Sequence, residues 1–221
     1  MNLDLFDHDY SDTCVAGTGV EFLSTKVALL RGFAKLFMTD LVEQVQHIGA
    51  QSPFRHLITP GGHRMSVAMT NCGDWGWTSD ELGYAYGRID PLTRQPWPAM
   101  PDVFKQLARE AAALGGFPGY EPDACLINRY AAGSRLSLHQ DLNEVGGGIP
   151  IVSVSLGIPA VFLLGGFQRH DATQKIMLTH GDVMVWGGVD RMRFHGVLPI
   201  QPAYHSQFGE YRINLTFRRA R

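Results

Sequence analysis

Apolar residues recur at helical spacing from about residue 32 to 49. Phe33, Phe37, Leu41, Val45 and Ile48 line one side, while Lys35, Glu43 and Gln46 fall on the other, which predicts an amphipathic helix. A second helix is expected over about 101–114. Pro101 suits its first turn, Gly115 and Gly116 suit its end, and Val103, Phe104, Leu107 and Ala111 would face a core. From about residue 123 the period shortens to two. Eight short runs follow: ACLINRY, RLSLH, IVSVSLG, AVFLL, KIMLT, DVMVW, RFHGV and YRINLTF. So many short strands separated by turn residues predict a sandwich or jelly roll, with no room for a parallel sheet and its crossover helices. The expected fold class is mainly β with flanking helices (α+β), the helices packed on one outer face. Residues 51–100, rich in Pro, Gly, Trp and Tyr with weak periodicity, read as short strands and loops laid over that barrel.

Composition narrows the picture. A chain of 221 residues supports one domain, 1–221, with a substantial core. The 25 Gly and 12 Pro favour turns over long helices. No apolar run reaches the roughly 20 residues that cross a bilayer. The opening MNLDLFDHDYSD is acidic and lacks the basic-then-apolar order of a signal peptide. A cytoplasmic protein with no membrane partner is therefore expected, and nothing calls for an obligate partner, so a monomer. Cys14, Cys72 and Cys125 are odd in number and widely spaced, which predicts ordinary reduced thiols. A net charge of −2 excludes nucleic-acid binding by bulk charge, although the chain ends on the basic stretch Phe217-Arg218-Arg219-Ala220-Arg221.

The candidate chemistry lies in Ser137-Leu138-His139-Gln140-Asp141. Alternate residues of a strand share a face, so His139 and Asp141 point the same way. Two histidines and one carboxylate bind Fe(II) and leave three positions open, which suits oxygenase chemistry. The third ligand must be a distant histidine, and choosing among nine needs a further argument; His195, in the run Arg193-Phe194-His195-Gly196-Val197, is one candidate. Farther on, Tyr211, Ile213, Leu215 and Phe217 alternate strictly with Arg212, Asn214, Thr216 and Arg218. The polar face of that strand either meets water or forms a carboxylate-binding strip inside the barrel, where the planar fork of arginine fits a carboxylate. Asn128 and Tyr130 share a face of their own run and offer matching hydrogen bonds.

Taken together, Asn128-x-Tyr130, His139-x-Asp141, His195 and Arg212-x-Asn214-x-Thr216-x-Arg218 resemble the AlkB family of 2-oxoglutarate-dependent nucleic-acid dealkylating dioxygenases. QSPFRHLITPGGHRMSVAMTNCG, IDPLTRQPWPAMP, PDACLINRYAAGSRLSLHQD, PIVSVSLGIPAVF and HGDVMVWGG resemble its bacterial members. The likeness runs from about residue 15 to 219. It implies a double-stranded β-helix, a jelly-roll variant, over about 123–218, with a nucleotide-recognition lid over about 51–100. It also implies Fe(II) on His139, Asp141 and His195, with 2-oxoglutarate and O₂ as co-substrates. Arg212 would pair with the distal carboxylate of 2-oxoglutarate and Arg218 with the carboxylate at its keto end. Asn128, Tyr130 and Asn214 would hydrogen-bond the same molecule. The implied reaction oxidises an N-methyl group on a base, of the 1-methyladenine or 3-methylcytosine type. It releases formaldehyde, succinate and CO₂.

The implied partner is alkylated DNA, single-stranded or with the base flipped out of a duplex, with RNA as a further candidate. Trp77, Tyr84 and Tyr86 are the lid aromatics. The resemblance puts Trp77 on the lesion base opposite His139, Tyr84 on the backbone, Met69 in the pocket wall and Arg169 at its rim. Two positions depart from the family. Asn143 stands where bacterial members carry an aspartate placed near the exocyclic amine of the lesion. His63 stands where a tyrosine is expected to line nucleic acid. Two other readings stay open: a 2-oxoglutarate dioxygenase acting on RNA or protein, and a catalytically silent β-barrel binding protein. His170, His180 and His205 are expected at the surface, Trp186 in the core, and Asp182 in a turn.

Overall fold

The computed structural model describes residues 19–144 and 146–221. Cys14 lies outside the described residues. The central strand is β14 (Arg212–Arg218), paired antiparallel to β7 (Ala124–Tyr130) on one side and β9 (Ile151–Gly157) on the other. All seven of its residues are buried, which excludes a polar face in water.

Strands β1 (Val20–Ser24), β2 (Val27–Leu30), β3 (Arg55–Ile58), β4 (Arg64–Gly73) and β12 (Val183–Trp186) complete an eight-stranded sheet of order β1-β2-β12-β9-β14-β7-β4-β3. A second sheet, of order β11-β10-β13-β8, comprises β8 (Leu136–His139), β10 (Ala160–Leu164), β11 (Gln174–Leu178) and β13 (His195–Val197). The hairpin β5 (Gly76–Asp80) to β6 (Gly83–Gly87) stands apart as its own two-stranded unit. This is the expected jelly-roll arrangement with helices on one outer face.

Those helices are α1 (Met38–Gln51) and α2 (Asp102–Leu114). Leu41, Val45 and Ile48 from α1 and Phe104, Leu107, Ala108 and Ala111 from α2 pack on Val152, Val154, Ile213, Leu215 and Phe217. These sheet residues are the apolar alternates of β9 and β14. A separate cluster that includes Met69, Tyr130, Ile151, Phe162, Leu164, Ile176, Trp186 and Val197 fills the space between the sheets. The large sheet is thus buried on both faces, and its polar alternates point into the space between the sheets.

Three details differ from the sequence expectation. The stretch 33–37 is a 3₁₀ turn and not the start of the α-helix, because Ala34 N–H donates to Gly181 O outside the helix and Lys35 N–H to Gly32 O. Strands β1 and β2 extend the large sheet, where no strand was expected. Within residues 51–100, β3 and the ten-residue β4 belong to the large sheet and only β5–β6 stands outside it. The weak periodicity of β4 has a physical cause: six consecutive residues of it are buried, so its two faces carry no polar contrast.

The ring of Phe104 meets Phe217 edge-on at 5.8 Å with neither side chain exposed. Phe104→Ala should lower stability by about 3–5 kcal/mol. Urea unfolding should show this as an earlier midpoint with an unchanged slope.

Candidate metal centre and co-substrate pocket

Strand β13 pairs with β8 so that His195 lies directly opposite His139. The strands approach closely at Gly196, where an added Cβ would lie 2.8 Å from Leu136 O and 3.2 Å from Leu138 N. Asp141 follows the end of β8 and turns its carboxylate back between the two rings. One oxygen is 3.9 Å from His139 Nε2 and the other 3.6 Å from His195 Nε2. One ligand atom from each of the three residues falls within 4.8 Å of the others, a spacing that one metal ion can bridge.

The ring orientations match that use. His139 Nδ1 donates to Ser137 O at 2.8 Å and His195 Nδ1 to Arg193 O at 3.1 Å. Each ring therefore turns Nε2 toward Asp141 with its lone pair available. Burial, reinforced by neighbouring His195, lowers the His139 pKa to about 4, so this ring is neutral near pH 7. Burial alone would raise the Asp141 carboxyl. The Arg218 guanidinium and the two imidazoles outweigh it and hold the group well below the usual carboxylate range. Trp186 and Phe162 cover the far side of His195, with centroids at 5.0 and 6.0 Å.

The inner face of the large sheet supplies the second set. Arg212 pairs in register with Tyr130 and Gly157, and Asn214 with Asn128 and Ser155. The Arg212 guanidinium lies 4.8 Å from the Tyr130 ring centroid and donates one hydrogen bond, from Nη2 to Ser155 Oγ at 3.0 Å. Its Nε and Nη1 have no protein acceptor, and neither does Asn128 Oδ1 have a donor. Arg212 is 1% exposed, and no salt bridge to it exists among the described residues. A buried guanidinium with unpaired N–H groups is costly, and a carboxylate satisfies them in the planar geometry that the fork requires. The residues present therefore fit 2-oxoglutarate. Asn214 donates to Ser153 Oγ and Val154 O and accepts from Thr216 Oγ1.

Arg218, expected at the keto-end carboxylate, donates from Nη2 to both oxygens of Asp141 at 3.1 Å. Met69 is buried on β4, in register with Asn128. On the hairpin, Trp77 stacks on Tyr84 with centroids 5.4 Å apart and planes at 17°, and Tyr84 is 46% exposed. Asn71 clamps Trp77 by accepting from its backbone N–H and donating to its O, each at 3.0 Å. Arg169 is exposed and donates to Leu138 O. Asn143 and His63 are exposed, and Asn143 O accepts from Arg221 Nη1.

Sequence reasoning passed over Ser153, Ser155, Glu144 and Arg191. The two serines alternate with valines and leucine in IVSVSLG, so their common face was readable. Arg191 sits in a loop and carried no such signal. His170 is exposed and Trp186 buried, as expected. His180 and His205 are a correction: both are partly buried and lie 4.2 Å apart. His180 Nδ1 accepts from Gly157 N–H, which the turn at 179–182 brings within 3.0 Å. Asp182 holds that turn, accepting from Thr179 N–H and also from Arg31 and Gly32. Cys72 and Cys125 are buried free thiols in register with each other.

The family model for the 2OG-Fe(II) oxygenase superfamily matches residues 26–218. The chain is 52% identical over 200 residues to the α-ketoglutarate-dependent dioxygenase AlkB of Salmonella typhimurium, covering 90% of this chain and 93% of that protein. Identity to the Escherichia coli protein of the same name is 50%, with the same coverage of both. Among solved structures, that of OsALKBH1 superposes with a TM-score of 0.79 at 28% identity, covering 91% of this chain and all of that one.

Two outcomes are expected. Arg212→Met fills the same space without the unpaired charge, so stability should hold or rise while the dissociation constant for 2-oxoglutarate rises at least about 100-fold; calorimetry and a thermal melt check both. His180 is held neutral, its pKa lowered from 6.5 to about 4 by burial and then by His205. Its contribution to stability is present above pH 6.5 and is lost as the pH falls toward 4, because only the unfolded chain takes up the proton in that window. His180→Gln should flatten the fall of Tm between pH 6.5 and 4. His139 titrates in the same window, so a slope remains.

Proposed function

The chain belongs to the 2OG-Fe(II) oxygenase superfamily and, within it, to the AlkB dioxygenases, and on that premise we propose that it demethylates N-alkylated bases in DNA. Substrates of the 1-methyladenine and 3-methylcytosine type, preferably in single strands, fit this reading. Enzymes of this class use Fe(II), 2-oxoglutarate and O₂. His139, Asp141 and His195 would hold the metal, and Arg212, Asn128, Tyr130 and Asn214 the co-substrate. When bound, iron and 2-oxoglutarate supply the oxidising power that hydroxylates an N-methyl group, which then leaves as formaldehyde.

The chain's own residues supply position and access. Asp141 and His139 present ligand atoms already deprotonated at neutral pH. The unpaired donors of Arg212 set where the distal carboxylate sits. The observation that carries the nucleic-acid reading is the outlying hairpin with its half-exposed Trp77–Tyr84 stack. An aromatic face of this kind grips an unstacked base, each stack adding about 1–3 kcal/mol. A base inside a duplex cannot reach a metal held between two sheets, so the strand must be single or the base flipped.

Formaldehyde release from methylated single-stranded DNA, methylated RNA and a methylated peptide tests the reading. DNA should give release, abolished by His139→Ala. Release from the peptide alone would overturn it. At Asn143 an amide keeps an acceptor oxygen without the charge. Asn143→Asp should change the ranking of methylated adenine against methylated cytosine by several-fold in kcat/KM. An unchanged ranking removes this residue from the specificity argument.

A further inference from the structure

The loop between β8 and β9 carries two carboxylates, Asp141 and Glu144, and the proposed function uses only the first. The side chains of Glu144 and Arg191 are each only 7% exposed. Three groups converge on Glu144. The hydroxyl of Tyr86, on hairpin strand β6, donates to its Oε1 at 2.6 Å. Arg191 Nη2 donates to its Oε2 at 3.0 Å. Arg218 Nε stands 3.5 Å from Oε1 and has no hydrogen-bond partner of its own.

The two arginines lead back to Asp141. Arg191 donates to the Asp141 backbone carbonyl from Nη1 and to Ile149 O from Nε, so one guanidinium holds both arms of the loop. Arg218 reaches both oxygens of the Asp141 side chain. The buried group is therefore two guanidiniums against two carboxylates, without net charge. Removing Glu144 leaves Arg191 without a carboxylate and Arg218 facing Asp141 alone. Its lone pairs would then be drawn to Arg218, in competition with the metal, and an unbalanced buried charge is expensive.

We propose that Glu144 is a positioning residue that couples the β5–β6 hairpin, through the Tyr86 hydroxyl, to the metal-binding carboxylate Asp141. The inference rests on the proposed function in taking Asp141 as a metal ligand. Glu144 touches neither metal nor base. It supplies the second anion that frees Asp141 to bind metal, and it ties the hairpin to the same loop. Filling the metal site and ordering the hairpin are then linked, and the linkage is reciprocal.

The test uses the whole chain with Co(II) and 2-oxoglutarate and no nucleic acid. Loading should slow hydrogen exchange at the amides of 83–87 several-fold in the unmodified protein. Tyr86→Phe, which deletes only the donor hydroxyl, should abolish that slowing. Glu144→Gln should weaken Co(II) binding about tenfold or more, the usual cost of losing a group that orients a ligand. Glu144→Asp should restore part of the affinity, because it restores the charge. A full loading response in Tyr86→Phe, or unchanged Co(II) affinity in Glu144→Gln, overturns the coupling. If Glu144→Gln does not fold, the Tyr86→Phe result decides. Formaldehyde release by the unmodified protein is scored separately, so failure of the proposed function is distinct from failure of the coupling.

Discussion

Strand β14 lies between β7 and β9, with apolar alternates against the helices and polar alternates facing the second sheet. The core and the site both depend on that double burial. Ile213, Leu215 and Phe217 anchor α1 and α2 to one face. The same periodicity places Arg212, Asn214, Thr216 and Arg218 where water is scarce, each 6% exposed or less. A one-residue slip would exchange the two sets and bury four polar groups among the helices. Register, fold and candidate pocket are therefore one constraint.

Burying those groups has a cost that the structure meets in two ways. At Arg218 the compensation is internal, through Asp141 and Glu144. At Arg212 it is incomplete, and two of its nitrogens, Nε and Nη1, stay unpaired. A protein built only for stability would not carry that guanidinium, and its cost is explained by a carboxylate ligand. Binding of 2-oxoglutarate should consequently act on stability as well as on catalysis.

Much of this was legible from residue order. The strands from 124 onward and both helices follow from periods of 2 and 3.6, whereas Asp141 lies just past the end of β8 and owes its position to the loop. The strict alternation of β14 was readable from the sequence, but only its burial on both faces excludes a polar face in water. Strand β4 escaped because both of its faces are buried over most of its length, and β1 and β2 because runs of five and four residues are too short to show a period. His180 was misplaced because its burial comes from His205 and Phe208, both far along the chain.

By itself, then, the sequence determined the class of fold and the alternation of β14, since both rest on local periodicity, whereas the metal triad and the carboxylate strip were candidates named from spacing together with family resemblance. The tertiary structure alone decided which groups share a buried charge. Tyr86, Glu144, Arg191 and Arg218 come from a hairpin, two loops and the last strand. No local pattern brings them together. Their meeting depends on the pairing of distant strands, and at low dielectric that meeting sets the charge surrounding Asp141.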